Sequence, residues 1–311
     1  MGDATILKNA LVTGGAGFIG TYLCRHLVNE GLRVISLDLR APAAAVQGVE
    51  YVRGDIRDGA LIGRLAASAD VVYHLAATVS IPLCQENPVE SYSNNVNGTI
   101  SVLEACRQAP GRRKPFFAMA STAAIYGCLG DDGRALNEEM LPSKFLSYYA
   151  AQKHAGEKAA QLYCDHHGVP SLIFRFFNVF GRGQDPTSPY SGVITVFIDR
   201  ARKGQAMRIN GDGLQTRDFV HVEDLVTACT AALRRPSSQW DGRVINLGTG
   251  RAITVNDLAT AVKRVFPQAG EIQHAEGRIG DVRHSKADNG MAREFLNARF
   301  DGDVTRQLAE I

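Results

Sequence analysis

The chain has 311 residues, 45% of them apolar and 21% charged, an ordinary globular composition that excludes wholesale disorder and suffices for a sizeable core. Lys plus Arg number 34 against 32 for Asp plus Glu, a formal charge of +2, which argues against a nucleic-acid or polyanion binder. No apolar run reaches membrane-spanning length, the start lacks a basic segment followed by a long apolar one, and the six cysteines are dispersed without a CxxC pair. The expectation is a reduced, cytoplasmic, unexported chain with no membrane association and no metal.

In chain order, short apolar runs alternate with helix-like stretches. Residues 10–12 form a run that ends in glycines. Residues 18–29 read as a helix, with Ile19, Leu23 and Leu27 on one face. Further strands are expected at 33–37, 49–52, 71–75, 116–120 and 171–175, and further helices at 91–108 and 147–166. Strands that read as continuous apolar runs with helices between them imply a parallel sheet covered on both faces. After residue 178 the texture changes to a loop rich in turn residues, then to mixed short elements. The division expected is 1–177 with a returning segment at about 216–247, against 178–311. The return to the sheet is placed near 219–233.

Val12-Thr13-Gly14-Gly15-Ala16-Gly17-Phe18-Ile19-Gly20 joins the first strand to the first helix. Glycines 14, 17 and 20 recur where a strand must turn sharply into a helix and where a pyrophosphate would approach the backbone and the helix N-terminus. The fold class read here is α/β: a Rossmann-like doubly wound parallel sheet with a smaller mixed α/β lobe. Asp38, 18 residues past Gly20, suits an adenosine ribose diol and favours NAD. Arg40 is the counter-signal, since a guanidinium can accept a 2′-phosphate. Asp55 and Ile56, after the third strand, are placed to meet adenine; a helix N-cap is the other reading of Asp55.

Tyr149 and Lys153 lie four apart, on one helix face. An ammonium near a phenol lowers its pKa towards neutrality and makes a base for an alcohol proton. With the glycine turn, this spacing points to hydride and proton transfer.

The sequence resembles the extended short-chain dehydrogenase/reductase family, in its NAD-dependent nucleotide-sugar epimerase/dehydratase group. The motifs are VTGGAGFIG (12–20), GDI (54–56), HLAA (74–77), NNVNGT (94–99), STAAIYG (121–127), YAAQK (149–153), RFFNVFG (175–181), GDGLQTRDFVHVEDL (211–225), NLGTG (246–250) and RIGDVRHS (278–285). The resemblance implies Thr122 as a third catalytic residue beside Tyr149 and Lys153. It implies cofactor contacts at Gly14, Gly17, Phe18, Ile19, Gly20, Asp38, Asp55, Ile56, Leu75, Ala76, Ala77, Asn94, Tyr149, Lys153 and Phe177. For a UDP-sugar it implies Thr122, Tyr149, Asn178, Val193, Arg208, Asn210, Arg217, Arg278, Asp281 and Ser285. Ile279, where relatives usually carry Pro, and Gln152, where Ser or Thr is frequent, depart from the pattern.

Dehydratases and decarboxylases of the group add an acid or base after the Thr. This chain has Ala123-Ala124, which can neither give nor take a proton. The resemblance therefore implies a 4-epimerase of UDP-GlcNAc/UDP-GalNAc, of UDP-Glc/UDP-Gal, or of both. A small Ser285 leaves room for an N-acetyl group. The segment from Gln184 to Val193 resembles epimerases that tolerate that group. A 4-ketoreductase or dehydrogenase, a UDP-uronate epimerase and an NAD-binding regulator remain as alternatives. A homodimer pairing helices 91–108 and 147–166 is the family expectation.

Overall fold

The computed structural model describes residues 7–111, 113–186, 192–277 and 282–311. The described chain forms two compact units. The first holds residues up to Thr122, then Ser147–Arg175 and Val226–Ile245; the second holds Ala123–Leu146, Phe176–Leu225 and Asn246–Ile311.

In chain order the first elements are β1 (Asn9–Thr13), α1 (Phe18–Asn29), β2 (Arg33–Asp38), β3 (Val49–Arg53), α2 (Gly59–Ala67) and β4 (Val71–His74). After them come α3 (Ile81–Glu86), α4 (Pro88–Tyr92), a π turn at Ser93–Asn97, α5 (Gly98–Gln108), β5 (Phe116–Thr122), α6 (Tyr148–His167) and β6 (Ser171–Phe176). Then follow β7 (Asn178–Phe180), α7 (Val193–Arg202), β8 (Met207–Asn210), β9 (Thr216–Arg217), β10 (Phe219–His221), α8 (Val222–Ala231) and β11 (Asp241–Leu247). The chain closes with β12 (Ile253–Thr254), α9 (Val255–Val265), β13 (Ile272–Ala275), β14 (His284–Ser285), α10 (Gly290–Leu296) and α11 (Val304–Leu308). No described helix is long and apolar enough to cross a membrane.

The large sheet has seven strands in the order β11-β6-β5-β4-β1-β2-β3. Pairing is parallel across β5–β4, β4–β1, β1–β2 and β2–β3. The order reverses at β1, which places the first strand–helix turn at the topological switch point, where such sheets bind ligands. The core of this unit joins Leu11, Leu37, Val72 and Phe117 of the strands to Ile62, Val102 and Leu103 of α2 and α5. Helix α1 buries Gly20, Leu23, Cys24 and Leu27, one stripe at helical spacing. Ser147 caps α6 by accepting a hydrogen bond from the Ala150 amide at 3.1 Å, and Gly168, at φ 64°, ends it in the left-handed region.

The second unit is built from small sheets, β10–β7, β12-β9-β14 and β13–β8. Its core gathers Phe180, Phe197, Phe219, Leu258 and Val262. Two expectations are corrected here. Phe219–His221 does not rejoin the large sheet, because it pairs with Asn178–Phe180; the strand that returns is β11, at the edge beside β6. Residues 91–108 are not one regular helix, since the π turn interrupts them. By contact, 123–146 group with the second unit and Val226–Ile245 with the first.

Candidate active site

The turn after β1 explains two of its glycines by internal contact. Gly14 sits at φ 73°, and a Cβ there would lie 2.7 Å from the Ala76 amide nitrogen; a Cβ on Gly20 would lie 2.2 Å from the Gly14 carbonyl oxygen. Gly17 differs. Its Cβ would meet only the Gly14 oxygen, at 3.3 Å. The protein itself does not demand glycine there, and a bare backbone at a helix N-terminus is what a close-lying pyrophosphate needs. Asp38 ends β2 with its carboxylate against this turn: Oδ2 accepts from the Ala16 amide at 3.2 Å and Oδ1 from the Arg40 amide at 3.1 Å. A carboxylate has about four acceptor positions, so two remain for ribose hydroxyls. These residues fit a dinucleotide.

Farther along, the side chains of two expected contacts are committed elsewhere. Asp55 is bound by the Arg57 guanidinium at 2.7 Å, which also reaches Glu90 at 2.7 Å. That hydrogen bond, working against burial, holds the Asp55 carboxyl below the usual carboxylate range. Ile56 is buried under Gly98, whose Cβ would lie 2.5 Å from Ile56 Cδ1. Neither side chain is free to meet a base. Helix α2 is capped by Asp58 rather than Asp55. Leu75, Ala76 and Ala77 follow β4 beside Thr13 and Gly14. Asn94, in the π turn, donates to Thr78 Oγ1 at 2.9 Å.

His74 organises the floor of this region. The Thr99 hydroxyl donates to the Asn95 carbonyl at 2.6 Å, so it accepts from His74 Nε2 at 2.9 Å. His74 Nδ1 then accepts from the Thr13 hydroxyl at 2.8 Å. Burial, with Lys153 nearby, drops His74 to about 3, so the ring is neutral. Asn95 continues the network: its Oδ1 accepts from the Thr78 amide at 2.7 Å and its Nδ2 donates to Gln152 Oε1 at 2.8 Å. Gln152 Nε2 donates to Ser91 Oγ at 2.9 Å. These bonds buckle α6 to α4 and the π turn just beside Tyr149 and Lys153.

β5 ends at Thr122, and the Thr122 side chain hydrogen-bonds the Tyr149 phenol at the start of α6. Lys153 is buried one turn later. Thr122, Tyr149 and Lys153 are thus gathered within the first unit. The electrostatics differ from the expectation of a phenol near neutrality. Burial pushes Tyr149 up to about 12, opposed by the Thr122 hydrogen bond. Burial pushes Lys153 down to about 8, opposed by Glu157. Spacing alone announces the lysine; it does not announce the desolvation that both groups suffer. The buried Cys84 thiol, also near the phenol, bonds the Thr78 carbonyl at 3.4 Å and is raised by burial, so it stays a thiol.

In the second unit, Asn178, Val193, Arg208, Asn210 and Arg217 line one cavity of about 170 Å³, with Ile209, Gln215 and Val255. All five of those sequence-assigned residues converge. Gln215, within the GDGLQTRDF motif, is not among the residues the resemblance assigns; it is buried and donates to the Asn210 carbonyl at 2.9 Å. Ser285 is buried, and β14 sets it in register with Arg217. A Cβ on Gly130, at the end of the kinked 3₁₀ stretch Ala123–Gly130 that follows Thr122, would lie 2.6 Å from the His284 carbonyl, so that stretch packs tightly on β14. Phe177 packs with Tyr126, Leu136 and Ala287. Arg278, Asp281 and residues 187–191 of the segment before Val193 lie outside the described residues.

The sequence model of the NAD dependent epimerase/dehydratase family matches residues 10–248. UDP-glucose 4-epimerase of Mycolicibacterium smegmatis is 34% identical over 295 residues, 92% of this chain and 91% of that protein. UDP-N-acetylglucosamine 4-epimerase from Methanobrevibacter ruminantium M1, solved with UDP-N-acetylmuramic acid, superposes with a TM-score of 0.87 at 29% identity, over 98% of this chain and 97% of that one. Thermus thermophilus UDP-glucose 4-epimerase with NAD gives 0.85 at 32% identity, over 97% and 96%.

Proposed function

Because this chain belongs to the NAD dependent epimerase/dehydratase family, we propose that it is an NAD-dependent 4-epimerase interconverting UDP-GlcNAc with UDP-GalNAc, UDP-Glc with UDP-Gal, or both. The observation that carries the reading is the Thr122–Tyr149 hydrogen bond on a helix bearing Lys153, followed in the chain by Ala123 and Ala124. Such a set moves one proton at one carbon and offers no second acid or base.

Tyr149 takes the proton of the 4-hydroxyl and later returns it. Thr122 holds that hydroxyl in line with the phenol, and the Lys153 ammonium offsets the negative charge the phenol carries in between. NAD bound here would supply hydride acceptor and donor chemistry at C4, while Tyr149 handles the accompanying proton. Gly14, Gly17, Phe18, Ile19, Gly20 and Asp38 hold the cofactor, with Leu75, Ala76, Ala77, Asn94 and Phe177 as further contacts. Arg217 holds the diphosphate, since guanidinium groups bind phosphate oxygens in pairs, Asn178 contacts the diphosphate–sugar region, and Val193, Arg208 and Asn210 surround the uridine. Incubation of the purified protein with UDP-GlcNAc, UDP-Glc and UDP-GlcA separately tests this. A C4 epimer of one or both of the first two, without net NADH, is expected. Net NADH production or consumption marks a dehydrogenase or ketoreductase instead, and product from UDP-GlcA alone marks a uronate epimerase.

Ser285 is the residue that admits the N-acetyl group. Ser285→Tyr is expected to cut turnover of the N-acetyl sugars at least about 10-fold while sparing the plain hexoses. Equal loss on both sugar pairs removes this role from Ser285. The active form is a homodimer. Val89 (84% exposed) and Tyr92 precede α5, and Tyr148 and Leu162 (54% exposed) lie on α6, all apolar and open to solvent. Sedimentation of the wild type at twice the chain mass, and of Val89→Glu/Leu162→Glu at the chain mass, is the expected pair of results; a wild-type monomer overturns it.

A further inference from the structure

Behind Tyr149 and Lys153 lies a buried charge cluster that the proton transfer does not use. Glu157 sits on α6 one turn past Lys153, with its side chain 1% exposed, and Arg175, near the end of β6, is at 2%. The guanidinium grips the carboxylate with both arms, Nε to Oε1 at 2.9 Å and Nη2 to Oε2 at 2.7 Å. Ser121 Oγ donates to Oε1 at 2.5 Å, and His154 Nδ1 lies 3.5 Å from Oε2. A buried ion pair is poor evidence for stability, because well-packed apolar residues often serve as well or better. What distinguishes this one is its neighbours. Lys153 is four residues before Glu157 on the same helix face, and Ser121 directly precedes Thr122.

We propose that Glu157 is a positioning residue whose carboxylate keeps the Lys153 side chain protonated, and so fit to support the phenolate of Tyr149. The inference rests on the reading of Thr122, Tyr149 and Lys153 as the reacting set, and not on which sugar is used. The charged and titratable groups around the pair are few. Lys153 is faced by His74 from β4, held neutral by burial, and by Glu157, with Tyr149 one turn before it on the same helix face. Glu157 is faced by Arg175 from β6, by His154 and Lys153 on α6, and by the Ser121 hydroxyl from β5. Cys84 of α3 adds only a thiol beside the phenol. Glu157 is the one carboxylate among these groups. Burial would raise it, but Arg175, His154 and Ser121 outweigh burial and hold it at about 2. It therefore carries its charge throughout the working pH range. The sign follows directly. Burial drives Lys153 towards its neutral form and the Glu157 charge resists, so loss of that charge makes Lys153 give up its proton at lower pH.

The test is a pH titration of protein isotope-labelled at lysine Cε, followed by NMR, with the Lys153 signal assigned by its absence in Lys153→Met. In Glu157→Gln the Lys153 midpoint is expected to fall by about one pH unit. Glu157→Gln leaves Arg175 buried beside a neutral amide and risks misfolding. Glu157→Gln/Arg175→Met removes that risk; because it also removes a buried positive charge, it is expected to show a smaller fall in the same direction. The alkaline limb of kcat moves down with it, while KM changes little. An unshifted Lys153 midpoint in the double variant overturns the proposal. So does a uniform fall in kcat with the limb in place, which is what a merely structural Glu157 produces. The titration needs no substrate, so absence of UDP-sugar turnover would refute the epimerase reading and leave this one to be judged by the midpoint alone.

Discussion

Tyr149→Phe is expected to lower epimer formation at least about 1,000-fold while the purified variant still binds NAD. General acid–base catalysis by a positioned side chain contributes typically 10²–10⁴-fold. Here one phenol serves twice, taking a proton from the 4-hydroxyl and giving it back, and the loop after Thr122 begins with two alanines that cannot stand in. The substitution removes one oxygen and keeps the ring. The cap that Ser147 places on α6 is untouched, and so are the Gln152–Asn95 and Gln152–Ser91 bonds. Fold and cofactor cradle therefore persist. Thr122→Ala is the milder companion, since it deletes the hydrogen bond to the phenol and leaves the base. Isomer formation under substrate saturation, measured beside NAD retained on the isolated protein, separates loss of chemistry from loss of cofactor. A Tyr149→Phe variant that turns over near the wild-type rate removes Tyr149 from the mechanism.

Local signals in the sequence carried the first half of the fold well. The α1 boundaries follow from a glycine turn, a stripe of apolar residues at helical spacing and the break at Glu30-Gly31. The apolar runs of β1, β2, β4, β5 and β6 are continuous because both faces of the sheet are covered. What escaped is decided by distant partners. The π turn at Ser93–Asn97 breaks a stretch whose periodicity reads as one helix; there Asn95 answers to Thr78 and Gln152, 17 and 57 residues away. Phe219–His221 looks like a sheet strand, yet its partner is Asn178–Phe180, and the strand that does return starts with the unpromising Asp241-Gly242-Arg243. In the site, motif resemblance found five of the cavity's eight lining residues, while Gln215, whose role is a bond to a main-chain carbonyl, has no pattern to betray it. Glu157 escaped for the same reason. Its i+4 spacing from Lys153 is visible, but its burial against Arg175 is a tertiary fact. Burial also reversed the expected direction for Tyr149.

The second large effect is expected in stability. Asp218→Ala should destabilise the second unit by roughly 3–5 kcal/mol, the partly relaxed cost of leaving several buried donors without an acceptor. Asp218 is fully buried beside Arg217. Its Oδ1 accepts from the Thr249 amide at 2.9 Å and the Thr249 hydroxyl at 2.6 Å, and its Oδ2 from the Gly250 amide at 2.9 Å and the Ala287 amide at 3.1 Å. Burial raises its carboxyl even against these four donors. The carboxylate is therefore a hub of neutral dipoles, and it ties the Gly248–Gly250 turn to Ala287, just after β14. Alanine leaves four buried donors without an acceptor, each costing about 1–3 kcal/mol before water or relaxation offsets part of it. Asp218→Asn is no rescue, because its NH₂ would face a pair of N–H donors where an oxygen stood. The damage reaches the cavity as well. The Asp218 carbonyl accepts from the Asn178 amide at 3.0 Å, and both Asn178 and Arg217 line the cavity, so KM for the nucleotide sugar should rise together with the loss of stability. Urea unfolding followed by a probe in the second unit, with KM measured well below the transition, checks both. A stability change under about 1 kcal/mol would mean that water replaces the carboxylate almost fully, and the hub would then be a bystander rather than the tie that holds Arg217 and Asn178 in place.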